Sequence, residues 1–201
     1  MTRMIIAAAV LAAAGLAVTE AAAQVYFNAP VKFAGTGCGA GSYTVSGEGT
    51  DTLTVLFSVY DAALPAENAE SDLERASCNF AVPISVPAGH QVSVMTADWR
   101  GYADGSTKFL REYFFAGQAE GIKKESSPSG DYTESDSELT HETFSKCGEN
   151  VTLRINSSVE ALTDGSYIAV DSADMQNTLV LHVEQKSCGK RALPAVFNML
   201  L

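Results

Sequence analysis

Hydrophobic residues after position 24 recur at every second position, not with the 3.6-residue period of a helix. Leu53, Val55 and Phe57 show this alternation, with polar or outward-facing residues between them. Similar segments follow along the chain at 80–86, 92–94, 109–115, 151–159, 167–170 and 179–183. Turns such as Gly47-Glu48-Gly49 separate these segments. The pattern predicts an all-β protein, an antiparallel β-sandwich of about eight strands.

Three segments depart from simple alternation. Residues 65–76 begin with a proline and are rich in Ala and Glu, so they are predicted as either a short helix or an acidic loop. Residues 120–143 are almost wholly polar, and Ser126-Ser127-Pro128-Ser129-Gly130 predicts a loop among them. Pro83 lies inside an otherwise alternating strand, which predicts an edge or bulged strand because proline cannot donate a ladder hydrogen bond.

The N-terminal 23 residues have the pattern of a signal peptide. Arg3 precedes an Ala- and Leu-rich run at 5–18, and Ala21-Ala22-Ala23 forms a small-residue cleavage site. No later segment reaches the length of a transmembrane helix. We therefore predict one secreted domain at 24–188, extracellular, periplasmic or on the cell surface, followed by an apolar tail at 189–201.

Charge and cysteine content narrow the class of protein further. A formal net charge of −11 argues against nucleic acid or an anionic membrane as a partner. The four cysteines predict two disulfides in an oxidising compartment, and three pairings are open to them. Because each pair flanks one group of strands, the spacing favours Cys38 with Cys78 and Cys147 with Cys188. No cysteine or histidine spacing fits a zinc site.

Several short motifs, taken in order, resemble a known family of secreted proteins. They are Cys38 with Ser42-Tyr43-Thr44-Val45, Cys78, Arg100-Gly101-Tyr102-Ala103, Gly130-Asp131-Tyr132-Thr133, Cys147-Gly148, Leu153-Arg154-Ile155-Asn156-Ser157-Ser158, Asp171-Ser172 and Cys188. Over residues 35–188 the chain resembles domain-of-unknown-function family 4360. The resemblance implies export and a disulfide-bonded, β-rich domain. It supplies no established activity and no catalytic residues.

The three histidines do not form a recognisable catalytic motif. His90 follows a glycine in a turn, His141 lies in an acidic stretch, and His182 faces away from Leu181 and Val183 on its strand. No Gly-x-Ser-x-Gly or His-Glu-x-x-His motif accompanies them. A secreted hydrolase is accordingly the third hypothesis for the function, and we predict that the protein is not an enzyme.

A run of acidic residues is the one candidate metal site. If 134–138 is a strand, Glu134, Asp136 and Glu138 share one face, with Asp131 just before them. Carboxylates at that spacing either remain solvated or bind a hard cation such as Ca²⁺. A solvated loop is favoured, and no cofactor is predicted beyond this candidate calcium site.

The only tryptophan suggests a contact with a ligand. Trp99, Arg100 and Tyr102 lie together where a strand is predicted to end, and aromatic residues at such a position can bind sugar rings or a protein partner. The alternative is that Trp99 packs in the core. The leading hypothesis is an extracellular or envelope-associated binding module for a polysaccharide or a cell-surface protein. A structural or assembly subunit that associates through edge strands or the 189–201 tail is the alternative.

Overall fold

The computed structural model describes residues 24–118, 120–137, 139, 145–170 and 179–188. Its thirteen strands, in chain order, are β1 (Tyr26–Phe27), β2 (Lys32–Ala34), β3 (Tyr43–Ser46), β4 (Thr52–Phe57), β5 (Asp61–Leu64), β6 (Arg75–Ser85), β7 (His90–Asp104), β8 (Thr107–Phe115), β9 (Ile122–Ser126), β10 (Gly130–Ser137), β11 (Val151–Ala161), β12 (Ser166–Ala169) and β13 (Leu179–Ser187). The predicted signal peptide and the 189–201 tail lie outside the described residues. The division of the chain at those points stays a prediction.

The strands form two antiparallel sheets, which confirms the predicted fold class. Sheet I has the order β1-β6-β11-β8-β9, with β2 also pairing with β6. Sheet II has the order β3-β4-β13-β7-β12-β5, with β10 also pairing with β7. The inward residues of both sheets form one apolar core, as the alternation at Leu53, Val55 and Phe57 predicts.

Two of the irregular segments differ from a simple loop. Residues 65–76 contain a single 3-10 turn at Ala66–Asn68 and then enter β6, so most of this segment is loop and strand. The loop predicted at 126–130 joins β9 to β10, whereas the solvated loop favoured for the acidic residues that follow is wrong, because they belong to strand β10. Within the described residues there is no helix with the length and hydropathy needed to cross a bilayer.

Pro83 lies in β6, one strand in from the edge of sheet I. Its carbonyl accepts a hydrogen bond from the Asn28 amide on the outer side, in the gap between the short strands β1 and β2. Because the amide and carbonyl of one strand residue point the same way, the donor that proline lacks is lost at this interrupted edge. The sheet therefore accommodates Pro83 where its neighbour strand is broken.

Both predicted disulfides are confirmed, Cys38 with Cys78 and Cys147 with Cys188. Cys38 lies between β2 of sheet I and β3 of sheet II, and its bond to Cys78 attaches this crossover to β6. Cys147 precedes β11, and its bond attaches that segment to the residue after the end of β13. Each bridge fastens a chain segment that lies between the sheets to a strand or strand end.

Candidate functional site

Trp99 is not on a ligand-binding surface. Its side chain is fully buried on the inward face of β7, where it packs edge-to-face on Phe109 with ring centroids 5.3 Å apart. Its Nε1 donates a hydrogen bond of 2.6 Å to the hydroxyl of Tyr113. The predicted ligand contact of Trp99 is therefore wrong, and the alternative position in the core is correct.

Arg100 and Tyr102 lie on the opposite, outward face of the same strand. Tyr102 is 44% exposed, and its ring centroid lies 6.5 Å from that of Tyr167 on β12. Asp131 of β10 pairs directly with Tyr102 across the ladder. We call Arg100, Tyr102, Asp131 and Tyr167 the Tyr102 surface. Two of the three residues predicted to contact a ligand, Arg100 and Tyr102, therefore lie on this surface.

Strand β10 separates the predicted calcium ligands. Glu134 and Asp136 face inward, whereas Asp131 is exposed on the other face, and Glu138 lies outside the described residues. The Arg111 guanidinium on β8 binds both oxygens of Asp136, Nε to Oδ2 at 2.7 Å and Nη2 to Oδ1 at 3.1 Å, and lies 3.6 Å from Glu134. Arg111 thus supplies a counter-charge to these two carboxylates. In the described part of the chain no three potential metal ligands converge.

The Arg111–Asp136 pair belongs to a buried chain of hydrogen bonds that joins the two sheets. Tyr113 of sheet I accepts from Trp99 of sheet II and donates to Asp136 Oδ2 at 2.6 Å. Burial alone lowers the pKa of Arg111, but the hydrogen bonds and charge of Asp136 outweigh it and raise that pKa above its usual value. Burial, followed by the Asp136 charge, holds the pKa of Tyr113 well above its usual value.

A second tyrosine is buried on the other side of the core. Tyr60 is fully buried, and its hydroxyl donates to Ser157 Oγ at 2.9 Å, which in turn donates to the Cys78 carbonyl at 2.8 Å. Burial raises the pKa of Tyr60 well above its usual value, although the hydrogen bond to Ser157 acts in the opposite direction. Both tyrosines are therefore neutral throughout the normal pH range of the folded protein.

Because Tyr60 and Tyr113 have raised pKa values, we expect the folded protein to lose stability in alkali. A tyrosine in the unfolded chain ionises near pH 10, whereas Tyr60 and Tyr113 ionise at higher pH in the folded chain. Their contribution to the free energy of unfolding is therefore complete below about pH 10. Above it we expect the free energy of unfolding to fall by about 1.4 kcal/mol per pH unit for each tyrosine. Urea unfolding at several pH values would measure the slope. Tyr60→Phe should make it shallower, and an unchanged slope would contradict the assignment.

The two described histidines each contact one polar neighbour. His90 Nδ1 lies 3.2 Å from the Ala88 carbonyl, and His141 lies outside the described residues. His182 Nδ1 lies 3.0 Å from the Thr52 hydroxyl, and that hydroxyl oxygen also lies 3.1 Å from a carboxylate oxygen of Asp51.

A polar depression lies on the outward face of sheet I. It has a volume of about 520 Å³, within the range of ligand-binding pockets. Its lining also includes the inward-facing positions Arg111, Lys124 and Ser157. The outward-facing lining residues, which define the sheet I groove, are Arg75, Ser77, Asn79, Leu110, Glu112, Lys123, Glu125, Asn156 and Ser158. They come from the four adjacent strands β6, β11, β8 and β9.

The floor of this groove is a ladder of matched polar pairs. Asn79 lies opposite Asn156 and Ser77 lies opposite Ser158, because β6 and β11 are antiparallel. The short side chains of this double row form the low floor of the depression, and the longer side chains of Leu110 and Glu112 on β8 form its wall. Asn156 Nδ2 donates to Glu112 Oε2 at 3.1 Å, which fixes the orientation of that amide.

This groove is not among the sites predicted from the sequence, although the residue types on two strands point to it. The outward positions of β6 carry Arg, Ser and Asn, at Arg75, Ser77 and Asn79. The outward positions of β11 carry the same three residue types, at Arg154, Asn156 and Ser158. Amide and guanidinium groups on a solvated strand face differ from the Thr and Lys usual there, and this difference could have marked the site.

Comparisons with known proteins agree with export and leave the activity open. A family model described as Domain of unknown function (DUF4360) matches residues 29–188. An "Uncharacterized secreted protein" of Arthroderma benhamiae is 31% identical over 175 residues, covering 79% of this chain and 70% of that protein. This relative confirms the prediction that the chain is secreted.

One solved structure is similar at a lower level. It is the complex of TmCBM61 with beta-1,4-galactotriose, which is 13% identical and covers 79% of this chain and 89% of its own, with a TM-score of 0.36. A likeness this low carries no argument about the ligand of the present chain.

Proposed function

The chain belongs to the family Domain of unknown function (DUF4360), and we propose that it is a secreted module that binds a polysaccharide in the sheet I groove. The single observation that carries the proposal is the paired row of amides and hydroxyls on the groove floor, open to solvent at Asn79. Binding, and not catalysis, is the role that we assign to these residues.

The chemistry of the floor suits the hydroxyl groups of a sugar chain. A sugar hydroxyl both donates and accepts hydrogen bonds, and so do the side chains of Asn and Ser. Asn156 has its Nδ2 partly engaged by Glu112, which leaves its oxygen free to accept. Leu110 supplies an apolar contact on the wall for the carbon-bound face of a sugar ring.

The shape of the groove favours an extended ligand. The lining runs along β6 from Arg75 to Asn79, four residues at about 3.3 Å each, so the groove is about 13 Å long in the direction of the strands. That length accommodates several sugar units, not one. A polysaccharide or oligosaccharide fits this site better than a monosaccharide.

Filling the groove tests this function. Asn79→Tyr should weaken polysaccharide binding at least about tenfold. Asn79 is exposed on the groove floor, and a tyrosine ring at this position would occupy the space of the ligand. Affinity electrophoresis of the purified secreted protein against a panel of neutral and acidic polysaccharides would measure the change. The fold should be retained, since tyrosine is well suited to a strand.

Two further variants locate the site. Thr133→Tyr places the same ring on the exposed outer face of β10 and should leave binding unchanged. Tyr102→Ala removes the centre of the Tyr102 surface. Loss of binding in Tyr102→Ala, with normal binding in Asn79→Tyr, would move the site to that surface. Failure of the unmodified protein to bind any polysaccharide would refute the proposed function.

The structural or assembly role stays a prediction. In the described chain β9 and β10 each pair with one neighbouring strand only, at the edge of their sheets. The 189–201 tail, which the same hypothesis invokes, lies outside the described residues.

A further inference from the structure

We propose that the ligand of the sheet I groove is a carboxylate-bearing polysaccharide, bound through Arg75 and Arg154; this inference rests on the proposed function. The two arginines lie on the outward face of sheet I, Arg75 in the lining of the groove and Arg154 just beyond it, two residues from Asn156 on β11. Along this floor the order of side chains is Arg154, the pair Asn79 and Asn156, the pair Ser77 and Ser158, and Arg75.

The outward face of sheet I is a basic region on an acidic protein. Half of the ten Lys and Arg residues of the described chain lie on it, but only three of the nineteen Asp and Glu residues do. The cations are Lys32, Arg75, Lys108, Lys123 and Arg154, and the acids are Glu112, Glu125 and Glu160. The whole chain carries −11, so this local excess of positive charge is opposite to the general charge of the surface. It favours an anionic group in the groove.

Two of the three lysines of this face have carboxylate partners. Lys108 Nζ lies 3.0 Å from Glu125, and Lys123 Nζ lies 3.8 Å from Glu112. The third, Lys32, lies on β2 and is not among the residues that line the groove. The lysines are therefore not the groups that we assign to ligand binding.

The arginines are different. Among the described residues, neither Arg75 nor Arg154 has a carboxylate within 4.0 Å. Arg75 reaches only the hydroxyl of Ser158, at 3.4 Å, although Glu160 lies opposite it in the ladder. A guanidinium presents a planar fork of donors that binds a carboxylate through two parallel hydrogen bonds. Both arginines are thus available for a ligand carboxylate.

The separation of the two arginines points to a polymer. Arg75 lies opposite Glu160, six residues from Arg154 on β11, so their Cα atoms are about 20 Å apart at 3.3 Å per residue. One small anion cannot contact both. A chain with repeated carboxylates can, with its hydroxyl groups over the Asn and Ser pairs between them.

The test compares one polysaccharide with and without its charge. Polygalacturonate and its fully methyl-esterified form have the same backbone, and both would be used without divalent cations. We expect the secreted protein to bind polygalacturonate at least about tenfold more tightly than the ester, because hydrogen bonds to charged groups are the stronger ones. Dextran sulfate is the third ligand. Equal or tighter binding to it would show general anion attraction and overturn the carboxylate assignment.

Charge variants assign the effect to the groove. Arg75→Gln should weaken polygalacturonate binding about tenfold and change binding to the ester less than about twofold. Arg154→Gln should act in the same way and serves as a second variant if Arg75→Gln affects folding. Arg100→Gln, on the exposed outer face of sheet II, makes the same change in net charge and is the matched control. An equal effect of Arg100→Gln would overturn the inference.

The outcomes separate this inference from the function on which it rests. If the protein binds neutral polysaccharides, loses them in Asn79→Tyr and does not prefer polygalacturonate, the inference fails and the proposed function stands. If the protein binds none of the polysaccharides, both fail.

Discussion

Replacing Trp99 with alanine is expected to lower the free energy of unfolding by about 3–5 kcal/mol, the usual cost of removing a large buried aromatic side chain. Trp99 of sheet II is fully buried and contacts the aromatic rings of Phe80 and Phe109 in sheet I. Its removal leaves a cavity between the sheets and takes one hydrogen bond from Tyr113. Urea denaturation followed by circular dichroism would measure the loss.

Trp99→Phe is the matched control for this prediction. Phenylalanine keeps most of the ring contacts but lacks the Nε1 donor, so we expect a loss of about 1 kcal/mol for the hydrogen bond, with a further small loss for the smaller ring. Tyr113 would still donate to Asp136. The position of Trp99 in the core would be contradicted if Trp99→Ala lowered the free energy of unfolding by less than the loss of about 1 kcal/mol expected for Trp99→Phe.

Asp136→Ala should also be strongly destabilising, by about 3–5 kcal/mol, because it removes one partner of a buried ion pair and leaves the other charge uncompensated. Asp136 and Arg111 are both nearly inaccessible to solvent, and Arg111 directs two of its donors at Asp136. Glu134 is close enough to Arg111 to compensate only in part, at 3.6 Å and partly exposed. Thermal and urea unfolding of the variant would give the loss.

A double variant separates the charge from the packing. Replacing both partners, as Arg111→Met with Asp136→Leu, removes the uncompensated charge and should recover much of the stability that Asp136→Ala loses. Asp131→Ala, on the exposed face of the same strand, should change stability by no more than about 0.5 kcal/mol. A loss in Asp136→Ala as small as that in Asp131→Ala would show that the pair does not hold the sheets together.

Much of the fold follows from local pattern. The inward faces of β4 and β6 are the alternating hydrophobic positions themselves, such as Leu53 and Val55, because a half-buried strand must repeat every two residues. The two disulfides follow from the same reading, since each cysteine pair flanks a group of strands that returns to its start. The alternation is a period within each strand, and the cysteine pairing follows from the spacing of the four cysteines along the chain.

The nature of β10 could not be predicted in that way. Its inward side chains include Glu134 and Asp136, so the strand has no hydrophobic alternation to detect. The residue that makes an inward aspartate favourable is Arg111, 25 positions earlier and in the other sheet. A polar strand that packs through a distant counter-charge has the sequence of a loop.

The error at Trp99 has a different origin. A strand is predicted to end near Trp99, whereas β7 continues to Asp104. Extending the two-residue period from the inward Val92 would place Arg100 and Tyr102 inside and Trp99 outside. The register of β7 against β13 shifts between Val94 and Thr96, and this irregularity reverses the two faces, so that Trp99 is inside. The groove was missed because its floor needs the register between β6 and β11, which one sequence does not contain.

Strand β8 assigns its successive residues to opposite sides, with Arg111 inside and Leu110 and Glu112 toward the groove. The shape and charge of the groove can therefore change by single substitutions at even-numbered positions of β8, without disturbing the interior. An insertion of one residue would exchange the two sides at once and expose the arginine. Tolerated insertions should consequently accumulate in the turns that join the strands.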